Sequence, residues 1–416
     1  MTQVVLPFNY QGKVFAPASK SYLQRAIAIS ILGSQACTIE NFYPSKDALA
    51  AIRIAKSLGA SVEVFDRKLV VKKGEAQLDE VEINCGESGL STRMFSPIAA
   101  TFLRISKITG EGSIMSRPIN MIEEALVQLG AKTSSNKGLL PLHIEGPILP
   151  SEIEIDGSES SQLLTGLLIS LPLLQGNSVI KVTNLKSIPY VQMTLDILGH
   201  FGIEIKHDNF NRFEIKGGQM ISASSYYVEG DWSGASFHLV GGAISGKVTV
   251  SGLNCQSTQA DKAILDAIIS CGGAVSTFEN EVVVKKNQLR AFEFDATHSP
   301  DLFPPLAVLA ACCEGTSKIK GVSRLKNKES NRAQTIREEF LKLNIEVKNV
   351  GDVMYIEGSK VKGGKVSSRN DHRIAMATAV LASVADGKIE IENSRAVDKS
   401  YPTFFEDLKT VSQDRN

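Results

Sequence analysis

Five times along this 416-residue chain a stretch with one apolar face runs into a small residue and then into an alternating segment: IAKSLGASVEVF, ALVQLGAKT, LDILGHFGIEI, AIISCGGAVSTF and EFLKLNIEV. The small residue falls at Gly59, Gly130, Gly202, Gly273 and Asn344, at intervals of 71, 72, 71 and 71 residues. Glycine, or once asparagine, is what a left-handed helix terminus accepts. Intervals this regular mark one joint recurring in a repeated unit. A sixth joint is due at position 415, just after the helix-like FFEDLKTV. The chain therefore reads as six units of about seventy residues.

A second register agrees with the first. Each unit carries a polar cluster immediately before an apolar run: SKS at 19–21, ESG at 87–89, SSQ at 160–162, DWS at 231–233, SPD at 299–301 and NDH at 370–372. Such clusters cap helix N-termini. The runs that follow, from YLQRAIAISIL to RIAMATAVLASVA, are apolar nearly all round, as helices packed inside a domain should be. The helices ending at the joints are amphipathic and expected to face water. Alternating segments such as VEVF, VVVKK and VMYIEG supply the strands. Units of two helices and a small sheet pack best as compact clusters, so two domains of three units are expected, with ligand bound between them. Helices aimed at a common cleft each bring about half a positive charge and unpaired N–H donors.

Composition narrows the class of partner. Forty-five Lys plus Arg balance forty-five Asp plus Glu, which argues against nucleic acid or a membrane surface as partner. Any anion binding must be local. The opening MTQVVLPFNYQGK has no signal- or transit-peptide character, so a cytoplasmic location is expected. The longest apolar run, LLTGLLISLPLL at 163–174, is too short to span a bilayer and reads as a core helix. Six cysteines without C-x-x-C spacing, and six scattered histidines, suggest reduced thiols and no metal or other cofactor.

The helix starts carry chemistry. Lys20, Ser21 and Arg25 stand at the first, Ser88, Gly89 and Arg93 at the second, and Ser160, Ser161 and Gln162 at the third. The fifth offers Asp301, and the sixth Asp371, His372 and Arg373, while Arg117 and Lys399 fall in loops. In RLKNKESNRA, Lys328 and Arg332 are four apart, which on a helix would put both cations on one face with Glu329 one step round. Arginine forks favour bidentate oxyanions and lysine acts as a point charge, so the cations suggest two anionic ligands or one with several anionic groups. Asp301 and Glu329 are out of place in a cationic cleft unless they move protons. Asp231 and Asp371 read as caps, and His372 as either a packing residue or a site residue.

Ten ordered motifs, among them PASKSYLQRA, ESGLSTRMFSPIA, GSESSQLLTGLL, EGDWSGASF, SPDLFPPLAVLA, LKNKESNRA and NDHRIAMA, make the chain resemble the 5-enolpyruvylshikimate-3-phosphate synthases from about residue 14 to residue 408. The resemblance implies an α/β fold, the two-domain inside-out α/β barrel of six βαβαββ units. It implies domains at 1–18 plus 229–416 and at 19–228, with the active site in the interdomain cleft and a monomeric chain. The reaction implied joins shikimate 3-phosphate and phosphoenolpyruvate, moving the enolpyruvyl group to the 5-hydroxyl and releasing phosphate, with no cofactor. Carried over by motif, Lys20, Ser21, Arg25, Ser160, Ser161, Gln162, Ser187, Asp301 and Lys328 would meet shikimate 3-phosphate. Lys20, Gly89, Arg117, Gln162, Arg332, Arg373 and Lys399 would meet phosphoenolpyruvate. Asp301 would take the hydroxyl proton and Glu329 would protonate the methylene carbon, with Lys20 also catalytic.

Ala18, Glu87, Leu90 and Arg324 depart from residues frequent in that family, which bears on affinity rather than on the reaction. Sensitivity to glyphosate, the family's characteristic inhibitor, is expected because Gly89 leaves room beside the phosphoenolpyruvate site. UDP-N-acetylglucosamine 1-carboxyvinyltransferases share the implied fold but usually carry a cysteine before the arginine equivalent to Arg117. The stretch from Thr101 to Ser116 has none, and Lys20 is followed by Ser21 rather than asparagine. A non-catalytic phosphometabolite-binding relative would be expected to lose Asp301 or Glu329.

Overall fold

The structure is a computed structural model that describes residues 1–74, 79–102 and 104–414. The joint due at 415 lies outside the described residues. The chain divides into two compact units, Met1–Ser19 with Glu229–Asn416, and Lys20–Val228.

Among the described residues each unit holds three sheets, and five of the six join a parallel pair to an antiparallel hairpin, three of them in unbroken chain order. Strand Glu80–Asn84 leads through the buried helix Gly89–Ala99 to a parallel partner, Ile105–Thr109. The amphipathic helix Asn120–Gln128 then leads to the hairpin Lys132–Asn136 and Leu139–Glu145, which adds two antiparallel strands. That is one βαβαββ repeat. In the sixth sheet Gly364–Ser367 runs parallel to Ile389–Glu392, and the antiparallel neighbour is the chain's first strand, Thr2–Val5. The chain's first strand thus completes the sheet of its last repeat, while its final strand, Ser412–Asp414, pairs with Phe8–Phe15 in another sheet.

Burial follows the two kinds of helix. Trp232–Ser245 and Phe303–Ala311 are buried at every position. In Lys46–Ser57 an alanine and isoleucine face is buried while Lys46, Arg53, Lys56 and Ser57 point away from the core. One close approach between helices depends on a glycine. A Cβ on Gly166 would stand 2.4 Å from the carbonyl oxygen of Met94, so helices Gln162–Ser170 and Gly89–Ala99 touch main chain to main chain. Their N-termini are thereby held side by side.

Four local expectations need correction. Residues 163–174 are not one helix, because Pro172 cannot donate the next helical bond and Leu171–Leu173 tighten to 3-10 geometry. The left-handed joint of the fourth unit is Gly272 rather than Gly273, since the helix ends at Ser270 with Cys271 as its last cap. Asp301 lies in a 3-10 turn, Pro300–Leu302, and caps nothing, whereas Ser88, Asp231 and Asp371 do accept from backbone N–H groups of their helices. Lys328 and Glu329 precede the helix Arg332–Leu341, which Asn331 caps, so Lys328 and Arg332 do not share a helical face. Among the described residues no helix is long and apolar enough to cross a membrane, and no His, Cys, Asp and Glu cluster could hold a metal. The cysteines are free thiols.

Candidate active site

In the unit Lys20–Val228, helix packing gathers cations around one glycine. Gly89 opens its helix, and a Cβ there would lie 3.1 Å from a terminal nitrogen of Arg93 and 3.1 Å from one of Arg117, with Gln162 Oε1 at 3.6 Å. Both guanidiniums are buried. Arg93 donates to the Gly89 carbonyl and Gln162 Oε1, each at 3.4 Å, and to the Pro118 carbonyl at 3.2 Å. Arg117 donates to Ser113 Oγ at 2.9 Å. Among the described residues neither forms an ion pair. Burial, then the like charge of Arg117, pulls Arg93 down to about 10, against a weaker opposing pull from Glu159. Two desolvated guanidiniums beside a helix N-terminus and a side-chain-free backbone make an anion trap.

The other candidate residues of that unit stand at or near the starts of its other helices. Lys20 Nζ stands 2.9 Å from Asp47 Oδ2 at the start of Lys46–Ser57. Arg25 donates to Thr194 Oγ1 at 2.9 Å, the Ser21 carbonyl at 2.9 Å, the Tyr190 carbonyl at 3.1 Å and Thr165 Oγ1 at 3.3 Å. Its donors are thus largely committed to the protein, and it contributes mainly charge. Burial pulls it to about 10. Ser160 Oγ accepts from Gln162 N, Ser161 is buried ahead of the same helix, and Ser187 sits left-handed (φ 58°) before Ile188–His200.

In the unit that holds Asp301 the cations are arranged around acids. Asp301 receives Arg332 Nη1 at 2.7 Å, Arg373 Nη2 at 3.1 Å and Lys328 Nζ at 3.2 Å. Burial raises its carboxyl, but Arg373, Lys328 and Arg332 together outweigh that and hold it well below the usual carboxylate range. Arg332, fully buried, also pairs through Nε with Asp371 at 2.8 Å and through Nη2 with Glu329. Burial works against its charge, yet Asp371, Glu329 and Asp301 push it well above its ordinary value. Lys328 is lowered, first by burial and then by Arg332 and Arg324, against the pull of Asp301 and Glu329. Lys399 Nζ donates to the Asn370 carbonyl at 2.6 Å, and His372 is buried beside Asp371.

Sequence reasoning missed Asp47, the partner of Lys20, which carried no motif signal. It named Arg93 among the phosphate and carboxylate ligands at the helix starts without assigning it to either substrate, and treated Asp371 only as a cap. Asp371 is both cap and anchor: it accepts from Arg373 N at 3.0 Å while holding Arg332.

Repeated βαβαββ units thus carry an arginine pair at a helix start in one unit and an acid held by three cations in the other. A likeness of fold accompanies this arrangement: EPSP synthase from Acinetobacter baumannii superimposes with a TM-score of 0.83 at 24% identity, over 99% of this chain and 98% of that one. The enolpyruvyl transferase NikO from Streptomyces tendae gives 0.78 at 17% identity, over 99% and 98%. These likenesses place the chain in the expected fold class, the two-domain inside-out α/β barrel. The sequence family EPSP synthase (3-phosphoshikimate 1-carboxyvinyltransferase) matches residues 7–408. Relatives named 3-phosphoshikimate 1-carboxyvinyltransferase are 37% identical in Clostridium novyi and 39% identical in Clostridium acetobutylicum, each over 98% of this chain and 96% of the relative. The chain belongs to the EPSP synthase family.

Proposed function

We propose that the residues described above carry out the reaction of this family: transfer of the enolpyruvyl group of phosphoenolpyruvate to the 5-hydroxyl of shikimate 3-phosphate, with release of phosphate. The observation that carries the assignment of roles is the pair of acid-free guanidiniums, Arg93 and Arg117, on either side of Gly89. A small ligand with both a carboxylate and a phosphate, such as phosphoenolpyruvate, supplies the oxyanions such a pair lacks.

Lys20, Gly89, Arg117, Gln162, Arg332, Arg373 and Lys399 bind phosphoenolpyruvate in this reading. Lys20, Ser21, Arg25, Ser160, Ser161, Gln162, Ser187, Asp301 and Lys328 bind shikimate 3-phosphate. Glu329 protonates the methylene carbon, generating an oxocarbenium-like centre. The 5-hydroxyl attacks that centre as Asp301 accepts its proton, and the tetrahedral intermediate loses phosphate while Glu329 takes a proton back from the methyl group, which restores the carbon–carbon double bond of the product. Fixed cations stabilise the charges that develop. Asp301 is a poor base while three cations hold it. Anionic substrates compete for Lys328, Arg332 and Arg373, loosen that hold and raise its basicity when the hydroxyl is in place. We place the enzyme in the cytoplasm.

The test is phosphate release from phosphoenolpyruvate by the purified protein, with shikimate 3-phosphate in one reaction and UDP-N-acetylglucosamine in another. Release with shikimate 3-phosphate alone, abolished in Asp301→Ala and Glu329→Ala, is the expected result. Release only with the UDP-sugar, or with neither, contradicts the reading.

A further inference from the structure

Behind the arginine pair lies a carboxamide that no motif singled out. Gln24 sits on the helix Lys20–Ser30, one turn beyond Lys20, with no exposed surface. Its Nε2 donates to Ser91 Oγ at 2.8 Å, to Ser88 Oγ at 2.9 Å and, more weakly, to the Asp47 carbonyl at 3.3 Å. Its Oε1 is buried without a hydrogen-bond partner.

Those three partners belong to the starts of two other helices. Ser88 is the N-cap of Gly89–Ala99, accepting from Ser91 N at 3.2 Å, and it immediately precedes the glycine between Arg93 and Arg117. Asp47 lies in the first turn of Lys46–Ser57, and its carboxylate holds Lys20. One amide group therefore links the helix that carries Lys20, the residue that holds Lys20 and the cap that sets the Gly89 backbone. A neutral amide suits this place. A carboxylate would partly neutralise the trap, and an apolar side chain would take one donor from each of two buried serine hydroxyls.

We infer that Gln24 is a positioning residue: it fixes the Lys20 ammonium relative to the Gly89 backbone and the Arg93–Arg117 pair, and so sets the affinity for the oxyanions of phosphoenolpyruvate without touching them. This rests on the reading of the site proposed above. Hydrogen bonds of 2.8 and 2.9 Å from a side chain with no exposed surface have little slack in length or direction. Misplacement on the scale of an ångström is known to cost about 10²-fold in rate.

Steady-state kinetics with phosphoenolpyruvate varied at saturating shikimate 3-phosphate test the inference on three variants. Gln24→Met keeps the length and removes the hydrogen bonds, and KM for phosphoenolpyruvate is expected to rise about tenfold, more than kcat falls. Gln24→Glu is expected to be worse at pH 8 than at pH 6, because protonation of the buried carboxyl restores a neutral donor. Ser91→Ala removes one acceptor, leaves the Ser88 cap in place and is expected to raise KM about threefold. It carries the test should Gln24→Met not fold. A phosphoenolpyruvate KM within twofold of wild type in the folded variants, with only the melting temperature lowered, overturns the inference and makes Gln24 a packing residue. The wild-type protein in the same assay separates the two levels. No wild-type turnover removes the functional reading, whereas wild-type turnover with unaltered variants removes only the role of Gln24.

Discussion

Arg93 and Arg117, in the unit Lys20–Val228, donate to carbonyl, amide and hydroxyl oxygens, whereas Arg332 and Arg373 in the other unit hold carboxylates. Both pairs are at least nine-tenths buried. The first pair is desolvated with no ion-paired acid to offset the cost, and the second is neutralised within the fold. The difference teaches which half waits for an anion and which must exchange one. In the first, a ligand's oxyanions add a missing partner. In the second, the proposed reaction has them compete with Asp301 and Glu329 for their cations, freeing the acids to which it assigns the proton transfers.

The largest expected effect separates the halves by chemistry. Asp301→Asn should lower kcat by about 10³-fold, within the range for loss of a general base, while phosphoenolpyruvate still binds, as read by single-turnover kinetics and by equilibrium binding. Weakening of binding and turnover in equal measure would show Asp301 to be only a structural partner of its cations. Next, Arg117→Met should raise KM for phosphoenolpyruvate by about 30- to 100-fold, the loss of a charged hydrogen-bonding partner worth roughly 2 to 3 kcal/mol. A smaller effect follows for Gly89→Ala. Its methyl would stand 3.1 Å from two guanidinium nitrogens, so KM should rise several-fold and inhibition by glyphosate should weaken, as read from inhibition at varied phosphoenolpyruvate.

The smallest effect concerns pH. Asp261 is buried, accepts from Ser233 Oγ and is raised to about 6, first by burial and then by Asp301, with Arg373 opposing. Its carboxyl is protonated in the folded chain at pH values where the unfolded chain has ionised it. Its contribution to stability therefore grows as pH falls through about 6 and levels off below its ordinary value of 3.8. Asp261→Asn should raise the melting temperature by about 2 °C at pH 8 and leave it unchanged near pH 4. A gain equal at both pH values would mean that the carboxyl is not raised.

How much of this was legible in the sequence depends on how local each signal is. The caps Ser88, Asp231 and Asp371 could be read because a cap bonds to residues two or three positions on. The repeat could be read because glycine or asparagine at a left-handed joint is a one-residue requirement. By contrast, Gln24 meets Ser88 and Ser91 across more than sixty residues, and Lys20 meets Asp47 across a helix and a strand. Nothing in either segment's own pattern announces the partner. The approach of Gly166 to Met94 belongs to the same kind, since it is a property of two packed helices. Lys328 and Arg332 mislead for the opposite reason: their spacing fits a helical face, but Asn331 starts the helix between them.

Thermal unfolding of Arg117→Met and Arg332→Met, each without ligand, tests the contrast between the two halves most directly. Arg332→Met leaves Asp301, Glu329 and Asp371 without their shared cation, at a cost of about 3 to 5 kcal/mol, which should lower the melting temperature by roughly 6 to 15 °C. Arg117→Met removes a charge that repels Arg93 and should leave the melting temperature unchanged or higher. Equal losses in the two variants would contradict the account, because they would mean that the arginines beside Gly89 are as well compensated as those that hold the acids.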